Sequence, residues 1–67
     1  MMNPAKKREF LKKERKKRGL TQKEVAHLLE ISRESYSLIE RGLRDPGLGT
    51  AIKIADFYNI NVRLFKT

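Results

Sequence analysis

The sequence predicts an all-α fold, and two observations support this prediction. Apolar residues recur at helical spacing along the chain, as Val25, Ala26 and Leu29 do in its middle part. Residues that commonly begin or end helices, such as Thr21 and Gly42, separate these apolar segments. No internal repeat is visible in the sequence, so we expect one compact helical domain rather than a repeat array.

Length and composition restrict the class of protein. With 67 residues, the chain forms one small domain with a thin core, which a second copy would help to stabilise. We interpret residues 1–5 as the flexible start of a basic arm and residues 6–67 as a single domain. The chain has no cysteine for disulfides or a thiolate metal site. Because it also lacks a membrane-length apolar run and a signal peptide, we predict a cytoplasmic protein.

The positive charge is concentrated near the N-terminus. Of the net charge of +8, residues 1–18 contribute +7, from nine lysines and arginines against two glutamates, Glu9 and Glu14. Residues 19–67 contribute the remaining +1. Charge collected on one element is typical of proteins that bind polyanions such as nucleic acid. The alternative is a solvated helix that keeps a small protein soluble.

The first helix is predicted from the N-terminal arm to Arg18. Asn3 is a candidate N-cap, and Pro4 suits the first helical turn. Gly19 follows as a residue that can adopt a left-handed conformation and end the helix.

The next two helices are joined by a tight turn. Thr21 and Glu24 have the spacing of a capping box, which predicts a second helix over about residues 22–29. Ser32 is the next candidate N-cap, so a third helix is predicted over about residues 33–41. This arrangement is typical of a helix-turn-helix over about residues 21–41.

A polar loop separates the third helix from the last predicted elements. Apolar residues from Leu48 to Tyr58 predict a fourth helix. Residues 62–65 form either a last short helix or an extended tail. Phe57, Leu64 and Phe65 provide more apolar surface than the core needs, which leaves two possibilities: an interface, or a core capped by the tail.

A set of residues between positions 15 and 60 carries the resemblance to a known family. It consists of Arg15, Gly19–Gln22, Val25, Ala26, Ile31–Arg33, Ile39–Gly42, Arg44, Pro46, Leu48, Lys53–Ala55 and Ile60. The chain resembles the Cro/cI-type, or XRE-family, helix-turn-helix regulators of phages and bacteria. This resemblance implies a compact, lambda-repressor-like DNA-binding domain of four to five helices. Such domains bind double-stranded operator DNA as homodimers and read bases with the third helix.

The resemblance also implies which residues contact DNA. These positions are Gln22, Ser32, Arg33, Glu34, Ser35, Ser37, Arg41 and Arg44. Arg33 suits a guanine or a phosphate, and Glu34 suits a cytosine amino group, while Ser32 and Ser37 can contact either base type. A charged first turn on a surface helix is the alternative for Arg33 and Glu34. Ser35 matches either a phosphate contact or a residue internal to the helix.

Backbone contacts and one ion pair follow from the same resemblance. Gln22, together with the free N–H groups of the second helix, matches a phosphate clamp, although an exposed glutamine can also serve helix propensity alone. Arg41 and Arg44 are placed to meet the sugar-phosphate backbone. Arg15 and Glu40 match a partly buried ion pair between the first and third helices, with two solvated charges as the alternative.

Two features depart from this simple picture or leave it open. Leu38 occupies a position that is usually polar in the family, so it contacts either a thymine methyl group or a partner protein. Residues 3–8 either lie along DNA or form a disordered arm that raises the encounter rate.

The sequence therefore predicts a transcriptional regulator, a repressor that occludes a promoter as a dimer. An enzyme is not expected, because His27 is the single histidine and no Gly-rich phosphate loop is present. No metal and no cofactor are predicted. The alternatives are an antitoxin- or immunity-type module that docks a protein partner through Leu38, Phe57 and Phe65, or the DNA-binding half of a longer repressor.

Overall fold

The computed structural model describes residues 8–65, which form five short helical elements. Four are α-helices, α1 (Glu9–Lys17), α2 (Gln22–Leu29), α3 (Arg33–Glu40) and α4 (Leu48–Tyr58), and the last is a 3₁₀ helix, Val62–Phe65. No strand is present between residues 8 and 65. The all-α class is thereby confirmed.

The start of α1 differs from the prediction. Arg8 is not helical (φ −92°, ψ 73°), so the helix begins at Glu9, and Arg18 is its C-cap. The expected N-cap and first turn at Asn3 and Pro4, like the arm over residues 1–5, lie outside the described residues. Gly19 follows α1 with a φ of +66°, a conformation that suits glycine.

Local capping fixes the starts of α2 and α3. The Thr21 hydroxyl accepts a hydrogen bond from the Glu24 N–H at 3.1 Å, and the Thr21 N–H donates to the Glu24 carboxylate at 2.8 Å. This reciprocal pair is the predicted capping box. At the start of α3 the Ser32 hydroxyl accepts from the Ser35 N–H at 3.0 Å, as predicted for an N-cap.

The α2–α3 turn sets the crossing of the two helices. Glu30, the C-cap of α2, adopts a left-handed conformation (φ 61°) that redirects the chain. Ile31 follows and packs, half-buried, against the core. The two helices pack directly on each other, which leaves the opposite face of α3 exposed.

One core joins all four helices. Its fully buried side chains are Leu11, Val25, Tyr36, Ile54 and Tyr58. The hydroxyl groups of Tyr36 and Tyr58 share a hydrogen bond of 2.7 Å inside this core. Burial raises the pKa of both hydroxyls, so the pair stays neutral, and each hydroxyl oxygen has a hydrogen-bond partner inside the core.

The C-terminal segment covers one side of the core. Phe65 packs edge-on against Phe10, with 5.6 Å between ring centroids, and Phe57 also packs against the core. Leu64, by contrast, is exposed. For Phe57 and Phe65, the structure shows a tail that caps the core. For Leu64, an interface stays a prediction. Within residues 8–65, no helix combines the length and the apolar character needed to cross a membrane.

Candidate nucleic-acid interface

Helix α3 has a sharp division between its two faces. Tyr36 and Ile39 point into the core, whereas Ser32, Arg33 and Glu34 are exposed at the N-terminal end. Ser37 and Leu38 are half-buried at the boundary. The helix therefore presents hydroxyl, guanidinium and carboxylate groups to solvent while its other face is held by the core. Groups of these types read base edges in the major groove.

A shallow basic cleft lies beside the N-terminal end of α3. It is lined by Arg15, Lys16, Gly19, Leu20, Thr21, Gln22, Lys23 and Arg33. Three of these residues, Lys16, Lys23 and Arg33, are exposed cations. The cleft also contains the start of α2, where backbone N–H groups and the helix dipole favour an anion. Its electrostatics suit a phosphate group.

Gln22 lies in this cleft but also has a partner inside the protein. Its amide nitrogen donates a hydrogen bond of 2.9 Å to the Glu40 carboxylate. A glutamine amide has two N–H donors, so this bond leaves a second donor for another acceptor. The structure thus places Gln22 between the surface of the cleft and the end of α3.

Arg15 and Glu40 are brought together beneath the C-terminal end of α3. The Arg15 Nε and Nη2 atoms contact the two oxygens of the Glu40 carboxylate at 2.9 and 3.0 Å, a bidentate arrangement. Arg15 Nη1 also donates to the Leu20 carbonyl at 3.0 Å. The side chains are 11% and 5% exposed, so the structure shows a partly buried pair rather than two solvated charges.

Burial and hydrogen bonding have opposite effects on the pKa of Glu40. Burial acts to raise the pKa of its carboxyl group, but hydrogen bonds from Arg15 and Gln22 act against it. The net result is a pKa below the ordinary value of 4.5. The same hydrogen bond from Arg15 to Glu40 raises the pKa of the guanidinium. Both groups are therefore charged at neutral pH, and each satisfies the other.

The loop after α3 brings two further cations to the exposed side. Arg41 and Arg44 are both exposed. Arg44 Nη1 donates a hydrogen bond of 3.0 Å to the Ser35 hydroxyl, so its guanidinium lies against α3. Ser35 is half-buried, and its hydroxyl is the acceptor of this hydrogen bond.

Arg8 is a residue whose role the sequence interpretation missed. It was assigned to an arm that lies along DNA or is disordered, yet it is 8% exposed and buried against α3. The hydrogen-bond partners of its side chain lie 31 to 37 residues away in the chain, so no local pattern identifies them. The one feature of the sequence that could have indicated its burial is its position three residues before the apolar Leu11, which places it on the same side of a helix.

His27 is exposed on the outer face of α2. Across residues 8–65, no cluster of three or more histidine, aspartate or glutamate side chains is close enough to hold a metal ion.

Three comparisons place the chain among known proteins. HTH-type transcriptional regulator ImmR of Bacillus subtilis (strain 168) is 43% identical over 51 residues, which cover 76% of this chain and 40% of ImmR. The uncharacterized HTH-type transcriptional regulator YqaF of the same strain is 38% identical over 58 residues, covering 87% of this chain and 76% of YqaF. An uncharacterized HTH-type transcriptional regulator of Methanocaldococcus jannaschii is 41% identical over 44 residues, covering 66% of this chain and 67% of that protein.

These matches agree with a family model described as "Helix-turn-helix", which covers residues 11–65. The chain spans less than half the length of ImmR and about three quarters of YqaF. No solved structure shows significant similarity to it. The matches indicate a DNA-binding regulator rather than an enzyme, as the sequence predicted. The chain therefore belongs to the XRE-type family of helix-turn-helix DNA-binding regulators.

Proposed function

We propose that the protein binds double-stranded operator DNA in a sequence-specific way, with α3 in the major groove. The observation that carries this proposal is the exposure of Ser32, Arg33 and Glu34 on a helix whose opposite face is fixed by the core. A helix presented in this manner has the dimensions and the chemistry that the major groove accepts.

Base readout falls to the exposed side chains of α3. Arg33 donates two parallel hydrogen bonds to the O6 and N7 atoms of a guanine, and Glu34 accepts from a cytosine amino group. Ser32 and Ser37 contact neighbouring bases of either type. Leu38 lies half-buried beside Ser37 and meets a thymine methyl group.

Phosphate contacts orient the helix and supply most of the affinity. Gln22 and the N-terminal end of α2 hold one phosphate in the basic cleft, where Lys16 and Lys23 add positive charge. Arg41, Arg44 and Ser35 hold the backbone on the other side of α3. Each phosphate neutralised releases counterions, so the affinity falls with added salt.

The proposed regulatory mode is repression by a dimer. We propose that a homodimer occupies two half-sites about one helical turn apart, roughly 10 to 10.5 base pairs, and blocks a promoter as a repressor. Leu48, which is 76% exposed, and Ile52, one turn further along α4, supply apolar surface for the second copy. ImmR is named as a transcriptional regulator, and this chain matches 40% of its length. The regulator here is therefore either this domain alone or the DNA-binding part of a longer protein.

The alternative is an antitoxin- or immunity-type module that binds another protein. Of its three proposed docking residues, Phe57 and Phe65 pack against the core. Leu38 remains half-buried at the edge of α3. Because two of the three side chains already have partners within the domain, DNA binding is the better supported function.

The test is fluorescence anisotropy with a randomised duplex pool, measured across a salt series. The Arg33→Ala variant is expected to lose base preference at one position, by about 1–3 kcal/mol of discrimination. The Gln22→Ala variant is expected to weaken binding to all sequences alike, because phosphates carry no sequence information.

Arg63→Ala is the matched control, since Arg63 is an exposed arginine in the C-terminal 3₁₀ helix, outside the helix-turn-helix. Equal behaviour of the Arg33 and Arg63 variants would contradict the assigned readout. If the wild-type protein ignores every duplex at low ionic strength, DNA binding itself is wrong.

A further inference from the structure

Arg8 is a buried arginine with an unusual set of partners. Its guanidinium donates hydrogen bonds to the Ile39 carbonyl at 2.8 Å, to the Arg44 carbonyl at 3.2 Å and to the Asp45 carboxylate at 2.5 Å. Its cationic group also lies 5.7 Å from the centroid of the Phe65 ring. Arginine is almost never fully buried without such pairing. The contacts connect the entry to α1 with the end of α3 and the loop that follows.

The end of α3 gains hydrogen-bond donors from this contact. The last carbonyl groups of an α-helix have no partners within the helix. The Arg8 backbone N–H supplies a donor to the Glu40 carbonyl at 3.1 Å. The Arg8 side chain adds a second donor to the Ile39 carbonyl, which also accepts from the Gly42 N–H at 3.1 Å. Its positive charge also complements the negative end of the helix dipole.

The same contact fixes Arg44, a candidate phosphate ligand. The carbonyl of Arg44 is held by Arg8, and its side chain is held by the Ser35 hydroxyl on α3. Both the backbone and the guanidinium of Arg44 therefore have defined positions. Without the hold on the backbone, residues 41–47 would have more conformations from which to meet DNA.

The negative charge of Asp45 lies next to Arg44, on the surface that is proposed to face DNA phosphates. Its side chain is 82% exposed, and a carboxylate on a surface that faces phosphates opposes binding by charge alone. Its contact with Arg8 gives a structural reason for an acid at this position.

We propose that Arg8 and Asp45 form a positioning clamp that holds residues 41–47 so that Arg44 meets a DNA phosphate. Asp45 then increases the affinity for DNA although its own charge opposes it. This inference rests on the proposed DNA binding, and both members of the clamp are positioning residues rather than DNA ligands.

The Asp45→Asn variant separates the two effects because they have opposite signs. The substitution raises the net charge by one unit, so charge alone predicts tighter binding. Loss of the clamp predicts weaker binding by about three- to tenfold, the scale of one lost hydrogen bond of ordinary strength. Because the Arg8 side chain is 9% exposed, removing the charge of its partner also lowers stability. Binding is therefore compared at a temperature at which a thermal melt by circular dichroism shows both proteins to be folded.

Asp56→Asn provides the matched control. Asp56 is an exposed aspartate near the C-terminal end of α4. It lies eight residues, or about 12 Å, beyond Leu48, the first residue of that helix. This variant makes the same change in charge and is expected to bind as tightly as the wild type or more tightly. The probe is a labelled duplex of about 20 base pairs, selected from a random pool by the wild-type protein and titrated at about 50 to 200 mM salt.

The salt dependence gives a readout that a purely structural role would not change. If Arg44 no longer meets a phosphate, the slope of log K against log salt becomes shallower by about 0.9 in the Asp45→Asn variant. The Arg8→Lys variant keeps the charge but loses the planar fork of the guanidinium, so its slope should change in the same direction.

Each outcome decides between the possibilities. Weaker binding with a shallower slope for Asp45→Asn supports the clamp. Affinity equal to or above that of Asp56→Asn, or an unchanged slope, overturns the clamp and leaves DNA binding intact. Failure of the wild-type protein to bind any duplex overturns the proposed function, and the clamp with it.

Discussion

The C-terminal end of α3, here called the gripped end, accepts hydrogen bonds from side chains in distant parts of the chain. At the N-terminal end, here called the exposed end, the charged side chains of α3 project into solvent. Arg15, Gln22 and Arg8 all donate hydrogen bonds to the last residues of the helix. Arg33 and Glu34, seven and six residues before Glu40, are exposed. The two ends are about 10 Å apart on one rigid rod.

This difference separates the residues that hold the helix in position from those that are proposed to contact DNA. Substitutions at the gripped end are expected to change the free energy of unfolding, because they leave a buried charge without its partner. Substitutions at the exposed end are expected to change binding with little effect on folding. A scaffold arranged in this way allows the groove-facing side chains to vary while the helix keeps its orientation.

The largest expected effect is that of Glu40→Ala, which leaves the Arg15 guanidinium partly buried and unpaired. We expect a loss of about 3 kcal/mol in the free energy of unfolding, since breaking one partner of a buried pair costs this much. In a domain of this size the loss lowers the Tm by about 12 to 24 °C. Urea unfolding and thermal melts followed by circular dichroism measure both quantities.

Glu34→Ala is the matched control for that variant, because it removes a glutamate from the other end of the same helix. It should stay within about 0.5 kcal/mol of the wild type. If the two variants lose the same stability, the contrast between the ends of α3 is wrong.

The acid sensitivity of the domain should come largely from the same carboxylate. The pKa of Glu40 is lowered because hydrogen bonds from Arg15 and Gln22 overcome the effect of burial, so its stabilisation is present above pH 4.5. It is lost as the pH falls through the pKa of the folded state. A hydrogen bond from Arg18 lowers the pKa of Glu14 as well, which adds to the loss in the same direction.

The Glu40→Gln variant tests this source of pH dependence. Glutamine keeps an oxygen that accepts from Arg15 but has no charge to lose, so the variant is less stable at pH 7 than the wild type by a smaller amount than Glu40→Ala. Its Tm should decline less steeply below pH 4.5, the ordinary value for the group. A decline parallel to that of the wild type would show that other carboxylates control acid unfolding.

The two ends of α3 also differ in how far the sequence alone could describe them. The start of the helix was predicted at the right residue because its signal is local: the Ser32 hydroxyl caps an N–H three residues away. Thr21 and Glu24 identified the start of α2 for the same reason. The residues of the ion pair at the other end were identified through the family resemblance, not through local pattern.

The parts that sequence could not provide involve partners distant along the chain. Arg8 was placed in an arm because a run of basic residues surrounds it, and its contacts span more than 30 residues. The structure begins α1 at Glu9 after a non-helical Arg8, and that residue is held by the same distant partners. Likewise, the hydrogen bond from Gln22 to Glu40 joins residues that are 18 positions apart in the chain, so the folded structure is needed to identify it.

The smallest of the expected stability effects concerns the N-terminal end of α3. Ser32→Ala removes the side-chain acceptor for the Ser35 N–H, and loss of such a cap costs about 1 kcal/mol, or about 4 to 8 °C in Tm. Ser37→Ala is the control, because it deletes a hydroxyl within the same helix but not at its cap. If Ser32→Ala costs as much as Glu40→Ala, then the exposed end is held as firmly as the gripped one, and groove-facing substitutions there would disturb folding as well as binding.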